Sequence, residues 1–445
     1  MFQKKLKIAG VAALVVFIAA SSCKKTNEKE KFDGPATAGL PSRPQKHVPV
    51  DANSLITVSL LDKDTIWLID GVSYVAPGNT LTIEPGAFLT SGNFKTYNDP
   101  VYGSQSLRGV LVVTRGGKLI ANGTAAAPIV FTSPNATNRK AGDFGGVVLL
   151  GNAPINQTVP QRIEGIPDPV PTGVDVNYGG STATDSSGVL TFVRIEFAGF
   201  RLTANNEING LTLGGVGSKT VLNHIQVSWS ADDAFEFFGG TVNANHLIAL
   251  SSDDDDYDFD FGYSGTIQYA ISLKDSSSTH SKSGGLPDAN GLESDNDGTG
   301  SGASPKTKPT LRNFTFVGIR TAAVQDTALK FGLRWRRATS LDFQSSLIVG
   351  YDTAVVFENI TNPSTFSNNA YTGVLVSSPT APSTLTGNTA AASVGVIFTG
   401  DPFYHIGTTY SLANLATTAA HASKGAIASG SSWGSGWTQF QPKTY

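Results

Sequence analysis

The chain has 445 residues, a formal net charge of −3 and a charged fraction of only 15%, while glycine and proline number 48 and 22. A nearly neutral chain lacks the basic excess that nucleic-acid binding requires, so no nucleic-acid partner is expected. The hydrophobic fraction of 40% suffices for a large core, and elongated all-β folds can hold this length in one unit.

The N-terminus has the pattern of a secretory leader. Residues 1–22 contain a basic start, MFQKKLK, an apolar run, IAGVAALVVFIAA, and small residues before Cys23, the only cysteine. The apolar run is too short for a comfortable membrane-spanning helix. The stretch resembles a bacterial lipobox, with Ala20 in place of the usual leucine, which implies cleavage and lipid attachment at Cys23. An ordinary signal peptide with an incidental cysteine is the alternative.

Residues 23–50 are polar, with charges of both signs and several prolines. This composition predicts a flexible tether between the lipidated cysteine and a folded domain over residues 51–445. Such a tether holds a domain at a membrane through lipid rather than through a spanning helix.

From Asp51 onward, short β-rich runs alternate with Gly, Asn, Asp and Pro turns, and we find no convincing amphipathic helix. The clearest runs are LTIEPGAFLT from Leu81, GVLVVTRGGKLIA from Gly109, PIVFTS from Pro128, GGVVLLGNAPIN from Gly145 and LTFVRIEFAG from Leu190. Regular short strands of this kind predict an all-β sandwich, barrel or solenoid.

An internal repeat decides among these architectures. Asn223-His224 recurs as Asn245-His246, Asp232-Asp233 as Asp254-Asp255, and Phe235-Glu236-Phe237 as Tyr257-Asp258-Phe259. Each pair is offset by about 22 residues, which is enough for one coil of three short strands. Such coils bury their apolar faces by stacking on one another. The sequence therefore predicts a single-stranded parallel β-helix.

The coil texture resembles the right-handed parallel β-helix superfamily that includes pectate lyases and polygalacturonases. The resemblance covers residues 51 to about 400. The segments VAPGNTLTIEPGA, FGGVVLLGNAPIN, RIEFAG, DDAFEFFGGTVN and WGSGWTQFQP are similar to those of secreted or lipid-anchored β-helix proteins of Bacteroidota. This likeness implies a right-handed helix at the outer membrane, on either its periplasmic or its cell-surface face, and implies little about chemistry.

Two segments depart from the coil pattern. Residues 275–309 are rich in Ser, Gly, Asp and Pro, and a loop insertion of this length is usually functional or disordered. Residues 401–445 are predicted to cap the last coil, with a helical Ala-rich part from Ser411 to Ala428.

The acidic coils are the candidate site. Strand alternation places the aromatic residues of YDFDFG in the core and Asp258 and Asp260 on the opposite face. Stacked acids repel unless a hard cation neutralises them, and carboxylates are the expected ligands of Ca²⁺. The predicted metal ligands are Asp232, Asp233, Glu236, Asp254, Asp255, Asp258 and Asp260. Turn chemistry or solvation of an acidic outer face is the alternative.

Catalysis is a third use of the same face. Repulsion between paired carboxylates raises one pKa and keeps a proton available, so the candidate catalytic residues are Asp232, Asp233, Asp254 and Asp255. The Asp pairs echo those of polygalacturonases, but the Gly-His-Gly and Arg-Ile-Lys motifs of that family are absent. A lyase base would come from KFGLRWRR, which supplies Lys330, Arg334, Arg336 and Arg337.

Three weaker signals accompany these. The stretch from Glu293 to Gly298, ESDNDG, approximates the first half of a calcium loop but lacks the distal glutamate. His224 and His246 are predicted to stack one coil apart. Trp229, Trp335 and Tyr263 are candidates either for sugar-stacking platforms or for core packing.

The leading expectation is a monomeric lipoprotein whose β-helix binds an extracellular polysaccharide or a surface protein, with calcium at the acidic coils. A polysaccharide lyase or glycoside hydrolase that acts on an acidic glycan through the Asp232–Asp260 face is the second expectation. A structural or adhesive surface protein is the third.

Overall fold

The computed structural model describes residues 40–203, 206–320, 328–427 and 431–443. Two large parallel sheets form the wall of a β-helix, as the 22-residue repeat predicts. The sheet that carries the acidic coils is called the cleft sheet here. Its strands are β4 (Val72–Val75), β9 (Val110–Val113), β12 (Gly146–Leu150), β18 (Leu211–Gly214), β20 (Phe235–Phe238), β22 (Tyr257–Asp260), β26 (Leu292–Ser294), β28 (Leu333–Trp335), β31 (Thr353–Glu358) and β34 (Val374–Ser378).

The second sheet, called the long sheet, wraps two further faces of each coil. Its strands are β1 (Gln45–His47), β2 (Leu60–Leu61), β3 (Ile66–Ile69), β5 (Thr80–Ile83), β6 (Phe88–Ser91), β10 (Lys118–Asn122), β11 (Ile129–Thr132), β15 (Gly188–Glu196), β19 (Val221–Ser228), β21 (Asn243–Leu250), β23 (Thr266–Leu273), β27 (Thr310–Val317), β29 (Asp342–Gln344), β30 (Leu347–Val349), β32 (Thr365–Ser367), β33 (Ala370–Tyr371) and β35 (Thr389–Ala390). Strand β1 lies within the 23–50 segment predicted as a tether, and it pairs with β3.

In the described part of the chain, four antiparallel hairpins project from the coils. They are β7–β8 (Lys95–Asp99 and Gly103–Leu107), β13–β14 (Gln161–Arg162 and Asn177–Tyr178), β16–β17 (Phe200–Thr203 and Asn206–Ile208) and β24–β25 (Lys282–Ser283 and Leu286–Pro287). The last hairpin lies in the predicted 275–309 insertion. The same insertion also contains β26, which continues the cleft sheet, so only part of it is loop.

The repeat predicted from sequence is the stacking register of the coils. Val221 pairs with Asn243 on the long sheet, and Phe235 pairs with Tyr257 on the cleft sheet, both at an offset of 22 residues. Phe235, Phe237, Tyr257 and Phe259 are fully buried, so they fill the interior that the alternation assigned to them.

Residues in the left-handed conformation, stacked from coil to coil at one corner of the helix, bend the long strands into two faces. Phe192, His224, His246 and Tyr269 have φ angles of 49°, 56°, 57° and 60°. The His224 and His246 rings stack with centroids 4.3 Å apart, as predicted, and Phe192 stacks on His224 at 4.4 Å. Non-glycine residues rarely adopt this conformation, so stacking between coils compensates for the local strain.

The described part of the C-terminal segment, predicted as a cap over residues 401–445, contacts the side of the helix. Trp437 packs on His224 with ring centroids 5.6 Å apart, and Gln439 exchanges hydrogen bonds with Gln226. The predicted helix from Ser411 to Ala428 is wrong for the residues described, because only two 3₁₀ helices, Leu412–Leu415 and Ala419–His421, form there. Alanine propensity is overridden by tertiary contacts, such as the hydrogen bond from the Ala426 backbone N–H to the Thr315 hydroxyl at 2.9 Å. One short α-helix, α1 (Val394–Ile397), precedes this segment.

Candidate functional site

The Asp253–Asp256 run separates into residues that face different environments. Asp256 points into the interior, where its Oδ1 lies 3.2 Å from Lys274 Nζ and both side chains are fully buried. The hydroxyl of Ser272 donates to the other oxygen of Asp256 at 2.5 Å. Asp253 accepts from the backbone N–H of Thr279 at 3.0 Å. Backbone turns direct these neighbouring acids into different environments. The chain therefore tolerates like charges that are adjacent in sequence.

Asp254 and Asp255 point into a cleft above the cleft sheet. Asp254 accepts a hydrogen bond from the Ser281 hydroxyl at 2.6 Å. Asp255 Oδ1 accepts from the backbone N–H of Asn290 at 2.6 Å and from its side-chain amide at 2.9 Å. The insertion 275–309 therefore supplies the wall that holds both carboxylates in place.

The outward side chains of consecutive cleft-sheet strands form an acidic ladder. Glu236 on β20 pairs in register with Asp258 on β22, and Asp258 pairs with Glu293 on β26. Adjacent parallel strands lie about 4.8 Å apart, so these carboxylates are forced into close proximity. Asp260 lies one ladder position further along β22, opposite the aromatic Phe238.

The ladder forms the floor of an open cleft of about 550 Å³. Every one of the seven predicted metal ligands lines this cleft. Glu164 lines the cleft from the loop of the β13–β14 hairpin and Glu207 lines it from strand β17, and Asp288 and Asp295 add further acids. The 22-residue repeat revealed the other seven but not these four residues or Glu293, which lie outside it. Glu293 and Asp295 were noted only as acids of the ESDNDG stretch.

The closest carboxylates form three overlapping groups in which one oxygen from each residue lies within 4.8 Å of the others. These groups, called the acid triads, are Asp232–Asp233–Asp254, Asp233–Glu236–Asp258 and Asp255–Asp258–Glu293. Asp233 and Asp258 each belong to two triads. Oxygen-rich groups of this kind have the donor chemistry that binds hard divalent cations.

Protein donors reach some of the triad oxygens and leave at least one without a partner. The backbone N–H of Asp255 donates to Asp233 Oδ1 at 2.8 Å, and the Asn209 side-chain amide donates to Glu236. Asp258 Oδ1 is buried and has no hydrogen-bond partner among the described residues. A buried oxygen without a donor is costly, which points to a cation or a proton in this position.

Burial and mutual repulsion raise the carboxyl pKa values throughout the triads. Burial is the largest cause for Asp233, Glu236, Asp255 and Asp258, and each is raised well above its ordinary pKa. The neighbouring carboxylates raise these pKa values further, since ionising one acid disfavours ionising the next.

Two glutamates at the edges of the triads titrate near neutrality. Burial raises the pKa of Glu164 to about 8, with the nearby Glu207 charge adding to the rise and a hydrogen bond to Glu236 lowering it. Burial also raises the pKa of Glu293 to about 7, and the guanidinium of Arg336 limits that rise.

Arginines neutralise the far end of the ladder. Arg336 Nε lies 2.9 Å from Asp295 and its guanidinium also pairs with Glu293. Arg337 contacts Asp295 at 2.7 Å, and Arg334 contacts Glu293 at 3.2 Å. Glu293, Asp295 and these arginines are called the paired half of the cleft, and the 232–236 and 254–260 carboxylates that line the cleft are called the acidic half.

The ion pairs argue against the arginines as a lyase base. The paired carboxylates raise the pKa of Arg336 above its ordinary value, so it stays protonated. Lys330, the other candidate, pairs with Asp288. The three arginines of KFGLRWRR pair with the buried acids Glu293 and Asp295, and Lys330 pairs with a partly exposed one.

The stretch 293–298, which approximates half of a calcium loop in sequence, divides its acids among different partners, and Glu293 also belongs to an acid triad. Its first acids, Glu293 and Asp295, turn to the arginines. Asp297 closes a local turn by accepting from the Thr299 and Ser301 backbone N–H groups, at 2.9 Å and 3.1 Å, and these bonds lower its pKa. The alternating acids therefore serve strand pairing and turn formation.

The candidate sugar platforms are core residues. Trp335 and Tyr263 are fully buried and Trp229 is 2% exposed. None of them presents a ring face to the cleft. Cys23, the predicted lipid site, lies outside the described residues, and among the described residues no helix is both long and apolar enough to cross a membrane.

The β-helix architecture agrees with a match to a family model. Residues 54–438 match the family model described as a pectate-lyase like beta helix domain. No curated protein matches the chain.

Proposed function

We propose that this chain, which belongs to the family of pectate-lyase-like β-helix domains, binds Ca²⁺ in the acidic half of its cleft and thereby holds an acidic extracellular polysaccharide. The observation that carries the proposal is the set of acid triads, whose oxygens lie within 4.8 Å of one another. Carboxylates at this separation need a compensating positive charge or protons.

The donor set favours calcium over softer metals. Every triad ligand is a carboxylate oxygen, and Ca²⁺ accepts six to eight oxygens in flexible geometry. Neither His nor Cys contributes to the triads, so the thiolate and imidazole ligands that favour zinc are missing from them. The raised pKa values mean that the empty site retains protons, which a divalent cation displaces on binding.

The shape of the cleft favours an extended anionic polymer. The cleft is open and runs across several stacked coils, so a chain-like ligand can contact successive ladder positions. Calcium bridges protein carboxylates to ligand carboxylates. Arg337, whose side chain is 42% exposed, supplies a direct contact for a further anionic group at the paired half.

The test is binding of acidic and neutral glycans on an array, with calcium and with a chelator. Binding of uronic-acid polymers that requires calcium supports the proposal. Asp233→Asn keeps the oxygen that accepts from Asp255 but removes a charge shared by two triads, so it should weaken binding at least tenfold. Asp64→Asn, at a side chain 81% exposed, is the matched control and should bind normally. Calcium-independent binding, or equal loss in both variants, contradicts the proposal.

A second candidate function rests on Glu164. A carboxylic acid with a pKa of about 8 that is hydrogen-bonded to Glu236 keeps a proton at neutral pH, as a general acid requires. In this alternative the cleft cleaves an acidic glycan, with Glu164 protonating the leaving oxygen and an acidic-half carboxylate activating water.

Product analysis separates hydrolysis from elimination and from binding alone. Hydrolysis releases reducing ends, whereas a lyase also creates an unsaturated product that absorbs ultraviolet light. Glu164→Gln should abolish hydrolysis while leaving calcium binding at the triads. No product from a panel of uronic-acid polymers, with calcium present, leaves binding as the function.

The proposed location is the outer membrane, with the lipid on Cys23. The support is the leader sequence before the only cysteine. Incorporation of labelled fatty acid into the wild type, and its loss in Cys23→Ser, tests the anchor, and protease accessibility on intact cells tests which face carries the domain.

A further inference from the structure

The two ends of the cleft sheet are finished in different ways. At the first end, β4 is completely buried, and residues 54–56 cover its edge. The Ile56 backbone N–H donates to Tyr74 oxygen at 2.9 Å, and the Tyr74 N–H donates to Ser54 oxygen at 3.0 Å. The chain therefore closes this edge with its own backbone.

The other end is open. Strand β34 is the last strand of the cleft sheet and pairs only with β31 in the described part of the chain. Four of its five residues are exposed, with Val374 at 55% and Val376 at 40%. An edge strand with free N–H and C=O groups is a template for a further strand.

The composition at this end lacks the usual protection. Residues 359–400 contain no Asp, Glu, Lys, Arg or His. Proteins commonly block open edges with charged side chains, and none lies on β34. Leu385 and Val396 add exposed apolar surface in the same uncharged segment, at 42% and 44% exposure.

We propose that β34 is an interaction surface for a second copy of this chain. Self-association presses identical surfaces together, so any charge near the contact would face a like charge, and this segment carries none. Antiparallel pairing of two β34 strands about a two-fold axis satisfies both open edges and covers Val374 and Val376.

The closed β4 edge determines the symmetry. Head-to-tail stacking requires β34 of one copy to meet β4 of the next, and residues 54–56 already occupy that edge. Pairing of β34 with β4 of another copy is thereby blocked, which favours a closed two-fold dimer over an open filament built from these two edges. This dimer replaces the monomer expected from the sequence and does not depend on the proposed function of the cleft.

Cysteine cross-linking tests the contact directly. The experiment uses the full chain with Cys23→Ser, so that the only thiol is the one introduced at Leu375, Val376 or Ser377 in separate variants. A disulfide requires Cα atoms about 4.4–6.8 Å apart, so the position nearest the two-fold axis should give a covalent dimer in more than half of the chains. Val221→Cys, with 44% exposure on β19, is the matched control and should stay below a tenth.

Sedimentation of the full chain without cysteine substitutions provides the second measurement. The wild type should sediment as a dimer at micromolar concentration, and Val374→Lys with Val376→Lys should sediment as a monomer with an unchanged circular dichroism spectrum. A wild type that stays monomeric at tens of micromolar, with no cross-linking above the Val221→Cys control, overturns the proposal. Cross-linking spread equally over β34 and Val221→Cys also overturns it.

Discussion

The acidic half and the paired half of the cleft occupy the same sheet, yet they resolve the same electrostatic problem differently. In the paired half, Arg334 and Arg336 lie within reach of Glu293, and Asp295 binds two guanidinium groups. In the acidic half, Glu236 and Asp258 form no ion pair among the described residues. The contrast leaves the acids of the acidic half to be neutralised by bound protons or by a cation.

The difference also explains why the coil stack tolerates so many acids. Strand register fixes the carboxylates at the inter-strand spacing whatever their charge, because the apolar side chains of the same strands are locked in the core. Where the next coil places an arginine beside the carboxylates, the arginine compensates their charge. Where the next coil adds another carboxylate, the acids must retain protons or bind a cation.

The largest expected effect comes from breaking the paired half. Arg336→Met leaves Glu293 and Asp295 buried with fewer partners, and loss of one partner of a buried ion pair costs about 3–5 kcal/mol. Urea unfolding should show this loss in the free energy of unfolding. Arg337→Met is the matched control, since its side chain is 42% exposed and such pairs contribute about 1 kcal/mol or less. Equal losses in both variants would contradict the distinction.

Calcium should act on the acidic half with a smaller effect. A ligand at one hundred times its Kd stabilises the native state by about 2.7 kcal/mol. The wild type should therefore unfold at higher temperature in calcium than in chelator. Asp258→Asn removes a ligand of two triads and should lose most of that gain, whereas Asp64→Asn should keep it. A calcium shift that survives Asp258→Asn places the ion elsewhere.

The pH dependence should have opposite signs with and without calcium. A carboxyl whose folded pKa is raised binds protons more tightly when folded, so its contribution to stability is present below the unfolded pKa and is lost as pH rises. For Glu293 this window runs from 4.5 to about 7, and Glu164 extends it to about 8. The metal-free protein should lose stability between pH 5 and pH 8.

Calcium reverses that trend because it binds the deprotonated carboxylates. Thermal unfolding across this pH range, in chelator and in calcium, measures both slopes. A metal-free protein that gains stability as pH rises from 5 to 8 would show that the triads are ionised without a cation.

The smallest effect is expected at the rim of the paired half. Glu358 contacts Arg334 at 3.2 Å, but its side chain is 36% exposed. Glu358→Gln should change the free energy of unfolding by less than about 1 kcal/mol. A loss comparable to that of Arg336→Met would mean that the rim, and not the buried pairs, stabilises this half.

The repeat made the fold and much of the site predictable. Matching residues at Asp232 and Asp254, and at Glu236 and Asp258, revealed the coil length, and coil length together with strand alternation placed seven acids in one cleft. This inference needs only periodicity, because stacked coils convert equal spacing in sequence into adjacency in space.

The remaining site residues were not predictable in this way. Glu293 enters the ladder through an insertion that changes the offset from 22 residues to 35, from Asp258 to Glu293. Glu164 and Glu207 reach the cleft on side hairpins, whose positions depend on tertiary packing. The path of the C-terminal segment depends on tertiary packing in the same way, since Trp437 packs on Phe192 and His224.

Isothermal titration of the full chain with Ca²⁺ at pH 7, in two buffers with different ionisation heats, measures cation binding and proton release together. Saturable binding with release of protons is predicted, because the cation must displace protons held by carboxyls such as Asp233 and Asp258, whose pKa values burial raises well above the ordinary range. Asp233→Asn should weaken binding by at least tenfold. Absence of binding, or binding without proton exchange in both buffers, would contradict a cation site in the acidic half.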